Sequence, residues 1–165
     1  MRSTSAAAAT CELDERRDCL MNIDVAGNAV PTARFMGGRE IETLIEIDTR
    51  SVDIKSDQPA LLDAVAKVIA NGAMVLPTLA PGTGPFPHGK GGWVNRPENW
   101  HERRAAACLY AALLADVSLD LIGSRARLLV EGRFAEAEVF VRALASLRPQ
   151  MQVYVANAHN DVSFG

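Results

Sequence analysis

Two stretches of the chain carry glycines and side chains suited to holding a ligand. The first is Glu131-Gly132-Arg133-Phe134, a glycine turn between an apolar run and a helical pattern. A glycine at such a turn lets backbone come close to a flat ligand, because a side chain would block the approach. An ordinary strand-to-helix turn asks for the same glycine, with Arg133 solvated and Phe134 seating the helix. The second stretch runs from Pro77 to Pro97, where Gly82, Gly84 and Lys90 could face phosphates. Lys90 reads equally well as a surface charge. Gly37 and Gly38 could shape a cleft, although a turn requirement alone explains them.

Other chemistries find little support. His88, His101 and His159 are far apart and lack metal-ligand spacing. Cys11, Cys19 and Cys108 are scattered, with no CxxC pair, which reads as reduced thiols rather than a disulfide framework or a zinc site. No GxSxG nucleophile motif is present. Asp161 follows a strand, where α/β sites often lie, but it serves as readily to cap a helix. Trp93 and Trp100 bracket the turn at Pro97 and read as loop anchors. No catalytic or metal-binding residue is assigned.

The elements that would carry these residues follow from periodicity. Met21, Ile23 and Val25 alternate with Asn22 and Asp24, Gly27-Asn28 supplies a turn, and Val30 to Met36 returns. That predicts a β-hairpin with one buried face. Pro31 lacks a ladder donor and belongs at an edge or an irregularity. Ile41, Leu44 and Ile45 then open a helix. Ser56 or Asp57 caps the next one, Pro59 sits in its first turn, Leu61, Leu62, Val65, Val68 and Ile69 form its stripe, and Gly72 ends it. Ala73 to Leu76 is a short strand, followed by the irregular Gly- and Pro-rich excursion. Asn99 and Glu102 have capping-box spacing and start a long helix to about Ile122. Ala105, Leu109, Leu113, Val117 and Leu121 recur along it, and its many small residues imply close packing on more than one side. Leu128 to Val130 reads as a buried strand, Phe134 to Leu147 as a helix stopped by Pro149, and Met151 to Val155 as a last strand. Glu136, Glu138, Arg142 and Arg148 are placed as the helix dipole favours. Strands alternating with helices point to parallel pairing, and the hairpin adds an antiparallel part.

The chain has 165 residues, 48% hydrophobic, 22% charged and only 5% aromatic. That suits one compact soluble domain whose core rests on Ala, Leu, Val and Ile. A net charge of −3 gives no electrostatic support for binding nucleic acid or an anionic membrane. The opening MRSTSAAAAT lacks the apolar run of a signal peptide and no run reaches membrane-spanning length, so a cytoplasmic setting is expected. Residues 1–18 are expected to be a disordered or extended segment.

Five segments, in order, carry a resemblance: VPTARFMGGREIE (Val30 to Glu42), LPTLAPGTGPFP (Leu76 to Pro87), ERRAAACLYAALLADVSLDLI (Glu102 to Ile122), LLVEGRFAEAEVFVRALASL (Leu128 to Leu147) and NDVSFG (Asn160 to Gly165). Together they resemble the C-terminal domain of FGGY-family carbohydrate kinases, in the branch with L-fuculose kinase-like and rhamnulose kinase-like proteins. The resemblance implies an α/β fold: an incomplete actin-like ATPase (ribonuclease H-like) domain over residues 19–165, with a mixed sheet and flanking helices. It implies ATP or ADP with magnesium as cofactor in the parent kinase, held between two such domains. Glu131, Gly132, Arg133 and Phe134 would then approach the adenosine, with Glu131 standing where the family often has a glycine. Gly82 and Gly84 would lie near the sugar and phosphate cleft.

The resemblance also implies parts outside this chain. The carboxylate base, the N-terminal phosphate-binding turn and most sugar contacts belong to the family's first domain. The Gly-Thr-Trp turn that opens the second domain has no counterpart here, since Gly82-Thr83 lies elsewhere in the order. The family's central strand, between the hairpin and the Leu128 strand, would precede the hairpin, and nothing in residues 1–18 has the character to supply it. The chain thus reads as a fragment of an ATP-dependent sugar kinase, inactive and weakly stable alone. The alternative is a non-catalytic nucleotide-binding or interaction module that pairs with a separate N-terminal kinase domain. A non-functional remnant is a third reading.

Overall fold

The computed structural model describes residues 13–48 and 53–156. Chain order gives strands β1 (Cys19–Ile23) and β2 (Ala29–Ala33), helices α1 (Gly37–Ile45) and α2 (Gln58–Ala70), strands β3 (Met74–Leu76) and β4 (Gly92–Val94), and helix α3 (Trp100–Leu121). Strand β5 (Arg127–Val130), helices α4 (Arg133–Glu136) and α5 (Glu138–Leu147), and strand β6 (Gln152–Val155) complete it. Both expected pairing senses occur. β1 pairs with β2 and β3 with β4 antiparallel, while β5 and β6 run parallel, three separate pairs among the described residues. The fold is α/β with flanking helices.

The central helix is α3, started by Asn99, whose side-chain carbonyl accepts from the N–H groups of His101 and Glu102 at 2.8 and 3.2 Å. Its small residues do what their size allows. Ala105, Ala107, Ala111, Ala112 and Ala115 are fully buried, and α1, α2, α5 and β3 pack around them. The four-residue repeat drifts around the helix, so Leu113 lies 53% exposed while Leu114 and Leu119 are buried. In α2, Leu61 and Val68 are buried as expected, but Ile69 faces solvent. The side chain of Asp57 makes no capping bond at the start of α2 and pairs with Arg104 of α3 instead. The expected helix from Phe134 breaks at Ala137 into α4 and α5.

Two expectations about strands need correcting. The hairpin forms as expected, but its face is not buried: Met21, Ile23 and Val25 are 52%, 75% and 98% exposed, and only Cys19 is fully covered. Alternation places Cys19, Met21 and Ile23 opposite Ala33, Pro31 and Ala29, yet no described element covers them beyond Cys19. The Gly- and Pro-rich excursion also contains β4, whose Trp93 lies opposite Val75. Pro31 sits where its position demands. Arg34 N–H donates to Asp18 O and Asp24 N–H to Asn28 O, so the even positions carry the ladder bonds and Pro31 turns its nitrogen away from β1.

Residues 1–12 lie outside the described residues. Residues 15–17 form a 3-10 turn whose N-cap is Asp14. Among the described residues no helix is long and apolar enough to cross a membrane.

Candidate functional site

A groove of about 350 Å³ opens between the start of α1 and the turn after β5. Phe35, Met36 and Gly37 to Arg39 line one side, and Val130, Glu131, Phe134 and Phe140 the other. These two segments lie some ninety residues apart in sequence, and α3 and α5 bring them together. An apolar cavity of about 80 Å³ adjoins the groove, sharing Gly38, Phe134 and Phe140 and lined further by Ile41, Leu61 and Cys108.

The glycines of the groove differ in what makes them glycine. A Cβ on Gly37 would stand 2.4 Å from Phe35 Cε2 and 3.2 Å from Phe134 Cζ, so the missing side chain leaves room for both rings at the helix start. Gly132 has φ +66° and ψ −152°, a conformation essentially reserved for glycine. Gly38 is under neither constraint: its φ is not left-handed, and no atom lies within 4 Å of where its Cβ would be. It borders open space.

Glu131, Gly132 and Arg133 are exposed; Glu131 lines the groove and Arg133 the adjoining cavity. Phe134 packs on Phe140 with ring centroids 4.7 Å apart, which seats α4 and α5 on the core. The start of α5 is held by Gln58 of α2, whose side-chain carbonyl accepts from Val139 N–H at 3.1 Å. Burial pushes the Cys108 thiol in the adjoining cavity up to about 11, against a smaller downward pull from Arg104. No three His, Cys, Asp or Glu side chains stand together as a metal cluster among the described residues.

Gly82 and Gly84 are not brought to this groove. They lie in the 77–91 loop, on the far side of Phe35 and Met36. Both amides are engaged: Gly82 N–H donates to Pro87 O at 2.9 Å and Gly84 N–H to Asp18 Oδ2 at 2.6 Å. A phosphate needs free donors, which these glycines do not offer here. Arg17 holds the same loop, through its Nε to Pro85 O at 2.8 Å and its guanidinium 5.6 Å from the Phe86 ring centroid. Lys90 and His88 are exposed. Trp93 packs into the core, and Trp100 lies beneath the guanidinium groups of Arg103 and Arg104. His159 and Asp161 lie outside the described residues.

Two residues that sequence reading passed over matter to this architecture. Arg148, read as a dipole partner, is 2% exposed and reaches Asp116 and Asp120 of α3. Glu40 is 2% exposed and its Oε1 accepts from Thr78 Oγ1, Leu79 N and Ala80 N at 2.7, 2.8 and 3.2 Å. A signal for Glu40 existed: it shares the buried face of α1 with Leu44, one helical turn on, where an acid needs a partner.

Across residues 1–165 the chain matches the family described as carbohydrate kinase FGGY, C-terminal domain. It is 71% identical to a carbohydrate kinase from Novosphingobium aromaticivorans whose crystal structure superposes with a TM-score of 0.88, over 93% of this chain and 33% of that one. The chain therefore spans about a third of that kinase's length. A search of curated proteins finds no match. The chain belongs to the FGGY carbohydrate kinase family, in which it corresponds to the C-terminal domain.

Proposed function

We propose that this chain supplies the adenosine-side wall of the ATP cleft in a two-domain sugar kinase, and that it transfers no phosphate alone. The observation that carries the reading is the convergence of Gly37–Arg39 with Glu131 and Phe134 on one groove, with Gly38 open to it. The adenosine would lie along Gly38 and Gly132, its base toward the apolar cavity behind Phe134. Glu131 and Arg133 would flank it from the rim. Gly82 and Gly84 would act at a distance, by giving the 77–91 loop its shape. The L-fuculose or rhamnulose kinase-like branch is part of this proposal.

Phosphoryl transfer is a matter of positioning, with phosphate donors, magnesium and a base converging on one in-line geometry. The base, the N-terminal phosphate turn and most sugar contacts are assigned to the other domain of the parent, so the choice of sugar is assigned there too. The strand pairs fit a missing partner. Among the described residues β1 and β5 each pair on one side only, and Pro31 blunts the outer edge of β2, so a strand joining the hairpin to β5 would enter beside β1.

Isothermal calorimetry with ADP on the wild-type chain and on Gly38→Leu tests the reading. A Cβ there meets no neighbouring atom and leucine suits a helix better than glycine, so the melting temperature should hold or rise. It would fill the groove, and ADP affinity should fall roughly tenfold or more, on the order of one blocked close contact. Equal binding by both proteins, or by neither, refutes the proposal.

A further inference from the structure

Glu40 stands in the first turn of α1, where a carboxylate on an isolated helix would face water. It is instead buried, and all three donors to its Oε1 come from Thr78, Leu79 and Ala80, at the start of the 77–91 loop. The buried hydroxyl of Tyr110 from α3 lies beside this carboxylate. From Ala80 the loop runs behind Phe35, where the Cβ position of Gly84 is 3.2 Å from Phe35 Cβ. Asp18 and Arg17 tie its middle at Gly84 and Pro85. Phe35 and Met36, against which the loop rests, are also lining residues of the groove.

We propose that Glu40 is a positioning residue of the groove: its carboxylate fastens the 77–91 loop to α1, making the loop a fixed buttress behind Phe35 and Met36 rather than a lid that closes over a ligand. The naming of the groove as a nucleotide site rests on the function proposed above; the anchoring does not. A Gly- and Pro-rich loop of this length is expected to be mobile, and one buried acceptor shared by three donors removes that freedom at its root. The carboxylate acts through α1, since it lies one turn beyond Gly37 and does not line the groove.

Amide hydrogen exchange on the full chain, with and without ADP, decides this. In Glu40→Ala the Leu79 and Ala80 amides should exchange roughly tenfold faster or more, because a hydrogen bond to a charged acceptor is lost. Amides of α3 and α5 should keep their protection. Glu40→Gln retains an oxygen of the same reach, and its new N–H can donate to the Tyr110 hydroxyl, so exchange should stay within about threefold of wild type. Thr78→Val removes one donor and should fall between. Where ADP binds the wild type, Glu40→Ala should weaken it and Glu40→Gln restore it. Absence of ADP binding in the wild type refutes the nucleotide reading and leaves the exchange rates to judge Glu40. Unchanged Leu79 and Ala80 exchange in Glu40→Ala, or equal acceleration in Glu40→Gln, overturns the proposal. Should Glu40→Ala not fold, wild-type exchange in Thr78→Val overturns it as well.

Discussion

Replacing Arg148 with alanine should remove about 3 kcal/mol of stability, near the low end for breaking a buried ion pair. The guanidinium is 2% exposed, with Nε 2.7 Å from Asp116 Oδ1 and Nη2 2.8 Å from Asp120 Oδ1. It also donates to the carbonyls of Asp116 and Ser124, near the end of α3 and just before β5. The alanine variant leaves the carbonyls and the Asp116 carboxylate short of a donor and opens a void beside Met151. The low end applies because the Asp120 side chain is 56% exposed and can rehydrate, whereas that of Asp116, at 24%, cannot do so fully. For a domain of this size about 3 kcal/mol lowers Tm by roughly 6–12 °C. Urea and thermal unfolding followed by tryptophan fluorescence measure it. Lysine at this position reaches fewer acceptors and should recover only part of the loss. A pH series adds a check. Burial raises the Asp120 pKa, but hydrogen bonds from Arg148 and Arg125 outweigh it and hold it below the ordinary 3.8. A depressed carboxylate contributes stability above its unfolded pKa and loses it as pH falls through the folded one. The gap between wild type and Arg148→Ala should therefore narrow below about pH 4. A Tm within about 2 °C of wild type at neutral pH, or a gap that widens in acid, refutes this account.

Two further outcomes follow from groove and core. Gly37→Ala puts a methyl group 2.4 Å from the Phe35 ring and should destabilise by about 1–3 kcal/mol in urea unfolding, the opposite sign to Gly38→Leu. The Cys108 thiol is raised by burial from 9.0 to about 11, so the unfolded chain ionises first as pH rises. Stability present below about pH 9 should then decline through pH 11, by up to about 2–3 kcal/mol from this thiol. The buried Tyr110 hydroxyl, also raised, adds a loss in the same direction. Native Cys108 should resist maleimide at pH 8 and react only on unfolding.

What the sequence made legible is what local periodicity determines, and the failures that bear on the site come from distant chain. The capping of α3 by Asn99, the pairing of the hairpin strands and the edge position of Pro31 each depend on residues within a turn or a strand of one another. Whether a face is covered depends on distant chain, and there the reading failed. Met21 and Ile23 alternate as a buried face would, yet alternation says only that they share a side. β4 could not be read because Gly92-Trp93-Val94 is too short to show a period and becomes a strand by pairing with Met74–Leu76. Gly82 and Gly84 were rightly placed in an irregular loop, but composition does not tell which way an amide points, and theirs point to Pro87 and Asp18. Glu40 and Arg148 owe their burial to donors and acceptors 24 to 40 residues away. The same divide runs through the groove. Gly37, Gly38 and Gly132 are one letter in the sequence, and three-dimensional contact separates them into a close approach of two rings, a position without structural demand, and a forbidden dihedral. A substitution at Gly37 or Gly132 disturbs the fold whatever the groove binds. Of the three, only Gly38 can be filled without loss of stability, and that makes it the residue on which the functional reading turns.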